Sequence, residues 1–167
     1  MGQRHLCKTG TDSHQDPVNK FELINRLRDV ESEYRVALHG VAQMRAQTAR
    51  RAGAPALAGL SSRHIRLCLE HMESTYIVRL FAEFEAALRV YWRPPGKRPR
   101  SSPKPVRALM DRTASQRHIH GDCLRRAHQV RACRNTLVHE TPAGATITLE
   151  ACRSHLCTFL SYLPVNW

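Results

Sequence analysis

The stretch SRHIRLCLEHMESTYIVRLFAEFEAALRVYW, residues 62–92, decides the fold class. Along it Ile65, Leu69, Met72, Tyr76, Leu80, Phe84, Leu88 and Tyr91 recur at spacings of three and four. That period returns side chains to one face of an α-helix. Ser61-Ser62 supplies the start, because a hydroxyl there can accept from the orphan N–H groups of a first helical turn. The end is set by RPPGKRPRSSPKP, residues 93–105. Its prolines remove backbone donors and its Gly and Ser resist ordering, so the helix gives way to a basic loop.

Working outward, the same period appears on both sides. Upstream, Asp16-Pro17 pairs an N-capping residue with a proline at a first helical position, and Leu23, Leu27, Val30, Tyr34, Leu38, Val41 and Met44 follow as an apolar stripe. This helix is expected to end near Gly53-Ala54-Pro55. Residues 1–15 have no periodicity and read as a flexible terminus. Downstream, a third helix is expected from near Pro105 to about Ile119. His120-Gly121-Asp122 then makes a break and a new N-cap for a helix over 123–139, closed by Thr141-Pro142-Ala143-Gly144. ATITLE, residues 145–150, alternates briefly like a strand but has no pairing partner, and reads as an extended connection. Leu149, Cys152, Leu156, Phe159 or Leu160, and Leu163 outline a last amphipathic helix. The expectation is an all-α, up-and-down bundle of four to five helices, one domain over residues 16–167, with no internal repeat.

Composition narrows the function classes. A chain of 167 residues with 42% hydrophobic and 24% charged residues has the make-up of one globular domain. A formal charge of +12 favours polyanionic partners. Only four of the 26 cationic residues are Lys. The rest are Arg, whose planar fork pairs bidentately with phosphate, although a compositional bias toward Arg and Ala explains the excess equally well. The six cysteines, at 7, 68, 123, 133, 152 and 157, form neither a C-x-x-C pair nor a zinc-ribbon spacing, so reduced, mostly buried thiols are expected. The opening MGQRHLCKTG has no apolar core of a secretory signal, and no later run reaches transmembrane length. Leu6 stands where a myristoylation motif wants Ser or Thr. A cytoplasmic protein without a membrane partner is expected.

The chemistry concentrates in the helix over 123–139. Cys123, Ala127, Val130 and Leu137 form a stripe in which Arg134 takes a place that a bundle would give to Leu or Ile. An Arg there has to be paired, reach outward or line a cleft. Asn135 and His139 stand at i and i+4 and share a face about 100° from Arg134. All three can therefore line one groove. His139 closes the helix, where its ring can reach solvent, and imidazole transfers protons near neutral pH. Arg134 can stabilise developing phosphate charge without losing its own.

The stretch Arg131-Ala132-Cys133-Arg134-Asn135-Thr136-Leu137-Val138-His139-Glu140 resembles the R-x4–6-H motif of HEPN (higher eukaryotes and prokaryotes nucleotide-binding) domains, in their ribonuclease branch. The helix over 62–92 resembles the long second helix of that family, and the motif precedes one last short helix as it does there. The resemblance spans residues 60–163. It implies metal-independent cleavage of RNA to 2′,3′-cyclic phosphate and 5′-hydroxyl ends, with no cofactor, at a site shared across a homodimer. It also implies a growth-arrest toxin or defence effector, the former with a cognate antitoxin. Arg134, His139 and Asn135 would be catalytic. A polar or acidic residue on the second helix would support them, for which Glu85 is the candidate; an ordinary i,i+4 pair of Glu85 with Arg89 is the other reading. Arg131, Arg98 and Arg100 are candidates for RNA contact.

Other readings stay open. A catalytically inactive HEPN-like module would bind nucleotides, RNA or a protein, and an unrelated basic bundle would bind nucleic acid. Two further Arg-to-His spacings, Arg66 to His71 and Arg112 to His118, lack the amide after the Arg and the helix-ending position. His118, His120, Asp122 and Cys123 are four possible metal ligands within six residues, but no second cluster matches them, and such residues also gather at helix caps.

Overall fold

A computed structural model describes residues 19–50, 61–93, 104–139 and 147–167. The Asp16-Pro17 start, the Gly53-Ala54-Pro55 stop, the Thr141–Gly144 break and most of the basic loop lie outside the described residues. Five helices are described: α1 Lys20–Arg50, α2 Ser62–Tyr91, α3 Val106–Arg117, α4 Gly121–His139 and α5 Leu149–Ser161. The all-α expectation is met, and the described residues hold no strand, only an isolated bridge between Asn19 and Asn166.

Local signals explain most boundaries. The Ser61 side chain accepts from the His64 N–H while the His64 ring accepts from the Ser61 N–H, a reciprocal cap on α2. The Thr148 hydroxyl caps α5 by accepting from the Ala151 N–H. At α1, Asn19 Oδ1 accepts from the Phe21 N–H at 2.8 Å. Helix α4 starts two residues earlier than expected. The His120 carbonyl accepts from the Cys123 N–H at 2.9 Å, which brings Gly121 and Asp122 into the first turn. Asp122 therefore lies inside the helix and pairs with Arg125 instead of acting as the cap. Helix α3 ends at His118, whose φ of 50° places it in the left-handed region usually left to glycine.

The helices form a circuit α1–α2–α4–α5, with α2 also touching α5 across the middle and α3 bracing α2 and α4. Alternation of direction follows from the cross-contacts. Arg79 meets Glu33 and Tyr76 meets Tyr34, while further along α1 Arg45 lines one cleft with Arg66, so α1 and α2 are antiparallel. Lys20 reaches the Ser161 carbonyl while Arg153 reaches Glu31, so α5 opposes α1. Helix α2 runs parallel to α5, because Glu73 meets Leu149 and Phe84 meets Phe159. The up-and-down arrangement is thus present, with α3 as a brace between the second and third long helices.

One hydrophobic core joins all five. Ile77, Leu80, Phe81, Phe84 and Leu88 of α2 are completely or almost completely buried, and they meet Leu27 and Val30 of α1, Met110 of α3, Val130 of α4, and Leu156, Phe159 and Leu160 of α5. Phe84 packs edge-on against Phe159 at 5.5 Å between ring centroids. At the α3 end, Trp92 donates to the Thr113 hydroxyl at 2.8 Å and its face carries the Arg112 guanidinium at 3.9 Å. Asp111 meets the His128 ring at 2.7 Å and ties α3 to α4.

Truncating Phe84 to Ala should cost about 3–5 kcal/mol, since ring and cavity are lost together. Val36→Ala, at a side chain 74% exposed, should change stability by less than about 0.5 kcal/mol. Urea unfolding of the two variants checks both, and comparable values for them would contradict this core.

Candidate functional site

The last turns of α4 carry Arg134, Asn135 and His139. Cys133 is buried and continues the core stripe of Cys123, Ala127 and Val130, whereas Arg134 one step on is half-buried and Leu137 lies at the margin of the core. Arg134 is thus at the edge of the apolar stripe. It can keep its guanidinium hydrated while its stem packs. Nη1 of Arg134 donates to Oδ1 of Asn135 at 3.1 Å. That bond uses the amide oxygen and leaves the Asn135 NH₂ free to donate elsewhere. Among the described residues no carboxylate pairs with Arg134. His139 is exposed as the final residue of α4, one turn beyond Asn135 on the same face, and among the described residues nothing holds its ring.

Direction places this segment beside the start of α5. Arg126 of α4 acts on His155, and Cys133 on Cys152, so α5 descends as α4 rises. At that end Glu73 of α2 accepts from the Leu149 N–H at 2.9 Å, joining α2 to the first turn of α5. Glu73 also raises the Tyr34 hydroxyl, after the larger effect of burial. Glu73 was missed in the sequence, although extending the buried row Ile77, Leu80, Phe84 and Ala87 back by one turn arrives at it. Glu85, the acidic candidate chosen there, lies three turns further along α2. Its carboxylate accepts from Arg89 Nε at 3.0 Å, and Arg89 also reaches the Lys104 carbonyl at 3.3 Å. Among the described residues no hydrogen bond or ion pair brings Glu85 to Arg134, Asn135 or His139.

The other cationic candidates divide. Arg131 is half-buried, one turn before Asn135, and its buried Nε has no hydrogen-bond partner among the described residues. Arg98 and Arg100 lie outside the described residues. The two additional Arg-to-His spacings have structural occupations: Arg66 approaches Glu70 at 3.6 Å, Arg112 stacks on Trp92, and His118 ends α3.

The cluster around His120 lies at the opposite end of α4. His120 Nδ1 accepts from the Asp122 N–H at 3.3 Å, Asp122 pairs with Arg125, and Cys123 is buried, which raises its thiol pKa against the opposing pull of Arg126. Among the described residues no group of three or more His, Cys, Asp or Glu is placed to hold a metal ion. A cleft of about 300 Å³ is lined by His120 and Arg126 on one side and by His155 of α5 and its C-cap Tyr162 on the other. Cys152, buried between α4 and α5, is pushed up to about 12, first by burial and then by Cys133 and Glu73, so it stays a thiol. No described helix is long and apolar enough to cross a membrane.

Compared with known proteins, the chain matches no family model, no curated protein and no solved structure.

Burial, and then the Arg126 charge, hold His155 below its ordinary value of 6.5. The unfolded chain then takes up the proton first as pH falls, so the stability linked to His155 is present above 6.5 and is lost as pH falls through the lower folded value. The melting temperature should therefore drop more steeply between about pH 7.5 and about pH 5 in the wild type than in His155→Gln. Identical slopes would remove this assignment.

Proposed function

We propose that the chain is a metal-independent endoribonuclease of the HEPN type, working as a homodimer in a growth-arrest or defence role. One observation carries the reading: Arg134, half-buried and free of any described carboxylate, is bonded to Asn135 one turn before an exposed His139 at the end of the same helix. This supports a site that receives a phosphodiester. A guanidinium with unneutralised charge stabilises the oxygens on which charge develops. The Asn135 NH₂ can orient the phosphate or the imidazole, and His139 has the freedom to reach it.

In this reading the ribose 2′-oxygen attacks the adjacent phosphorus while a histidine takes its proton. The bond to the 5′-oxygen breaks, and that oxygen leaves with a proton from an imidazolium. The products are a 2′,3′-cyclic phosphate and a 5′-hydroxyl. One His139 cannot conveniently serve both oxygens in a single step, so a second copy across a dimer interface would supply the other proton transfer. A cognate antitoxin would be the natural partner of a toxin with this activity. The second reading, a catalytically inactive module that binds nucleotides, RNA or a protein, is favoured by one fact: among the described residues nothing holds the His139 ring against Arg134 or Asn135.

The purified chain should cut RNA in EDTA, leaving 3′ ends that resist ligation until the cyclic phosphate is opened and the phosphate removed. His139→Ala should lower the rate about 10²–10⁴-fold with helicity and oligomeric state unchanged. Intact RNA with the wild type, or full activity in the variant, would favour the binding module instead.

A further inference from the structure

Helices α1 and α2 continue past the point where α5 begins. Beyond Glu31, α1 has no buried residue, only a half-buried seam of Tyr34, Ala37, Val41, Met44 and Thr48 at spacings of three and four. It faces Ile65, Leu69, Met72 and Tyr76 of α2. This is a two-helix arm with a single seam, held at its base by the Arg79–Glu33 pair and the Tyr34–Tyr76 contact. Toward the end of α1 and the start of α2 lies a cleft of about 770 Å³, with Ile65 and Leu69 in its wall and Arg45, Arg63 and Arg66 around it.

The described lining of this cleft carries more positive than negative charge. Among the described residues around it Glu70 is the sole carboxylate, 3.6 Å from Arg66, while Arg45 and Arg63 have no ion pair. Arg35, Arg79, Arg89, Arg107, Arg125 and Arg153, by contrast, each have a carboxylate within ion-pair distance. Three guanidinium groups sharing one open space repel one another, and an anion relieves that repulsion. The cap of α2 engages the N–H groups of Ser61 and His64. The guanidinium forks of Arg45, Arg63 and Arg66 suit phosphate and would hold the anion. The apolar wall offers a surface for a base.

We infer that the arm cleft binds the phosphodiester backbone of single-stranded RNA, as a second contact apart from the Arg134 segment. Seven residues of α2 separate Arg66 from Glu73, the level at which α5 begins, or about 10 Å along the helix axis. A strand seated in the cleft therefore extends to the Arg134 end of the bundle within a few nucleotides. The polymeric ligand rests on the nuclease reading; the anion site rests on the cleft alone.

The test measures anisotropy of a labelled single-stranded RNA oligonucleotide on the full chain carrying His139→Ala, so that the probe stays uncut. Replacing Arg45, Arg63 and Arg66 together with Gln should weaken binding at least about 10-fold and flatten the salt dependence of log K by about 2, from three lost phosphate contacts. A control of equal charge, Arg26→Gln, Arg107→Gln and Arg125→Gln, lies away from the arm and should weaken binding less than about threefold. Circular dichroism and melting of each variant confirm the fold. Equal losses in both triple variants, or an unchanged salt slope in the arm variant, overturn the inference. Inorganic phosphate competing as strongly as RNA also overturns it, in favour of a small-anion site. Arm-dependent binding by a chain whose wild type leaves RNA uncut supports the cleft and removes the nuclease reading.

Discussion

The structure depends on covering α2. From Ile77 to Leu88 its buried side chains Ile77, Leu80, Phe81, Phe84, Ala87 and Leu88 form one broad apolar face, an arc of about 120°. A face that broad and that bulky is not covered by a single partner, and its free energy falls as several neighbours close over it. Each of the other four helices packs against it. Phe84 and Phe159 meet where α2 and α5 touch across the circuit, so the diagonal contact is aromatic and large.

Polar contacts then select one arrangement among the ways helices could cover α2. Glu31 of α1 is 8% exposed and is shared by Arg35 of its own helix and Arg153 of α5. A carboxylate so placed is tolerable only while its partners stay, which makes the α1–α5 register costly to shift. Glu73 does similar work between α2 and α5 by accepting from the first N–H of α5. His128 and Asp111 tie α3 to α4. These three links reach across different helix pairs, and together they hold α4 and α5 in register beside α2.

The candidate site is a consequence of that register. Helix α4 has one row of small or short core side chains, Cys123, Ala127, Val130 and Cys133, and it leaves the core as it passes Arg134. The helix has to end where α5 begins, and its last turns therefore emerge beside that junction with Asn135 and His139 on one face. Arg134, Arg45 and Arg63, which have no ion pair among the described residues, lie toward this end. Arg89 and Arg125 are ion-paired, and Arg112 and Arg117 lie over aromatic rings. Net positive charge alone would attract any polyanion; guanidinium groups without an ion pair give that attraction places to act.

By itself the sequence determined the helices and their order, because a spacing of three and four survives in any context, and Ser61 and Thr148 mark starts by chemistry local to a single turn. It also determined that Asn135 and His139 share a face. What it did not decide were relations between helices. Glu85 and Glu73 look alike along the chain, yet one is spent on Arg89 and the other bonds the start of α5, since only packing sets which turn of α2 meets which neighbour. Arg134 read as a core position because a stripe drawn on one helix has no knowledge of where the core stops. Tertiary structure gave the buried place at that turn to Cys133 and moved Arg134 to the margin, where a long cationic side chain can keep its water. The cleft between Arg45, Arg63 and Arg66 is likewise a tertiary fact: those residues stand on two helices and meet only because α1 and α2 run antiparallel past the end of the bundle.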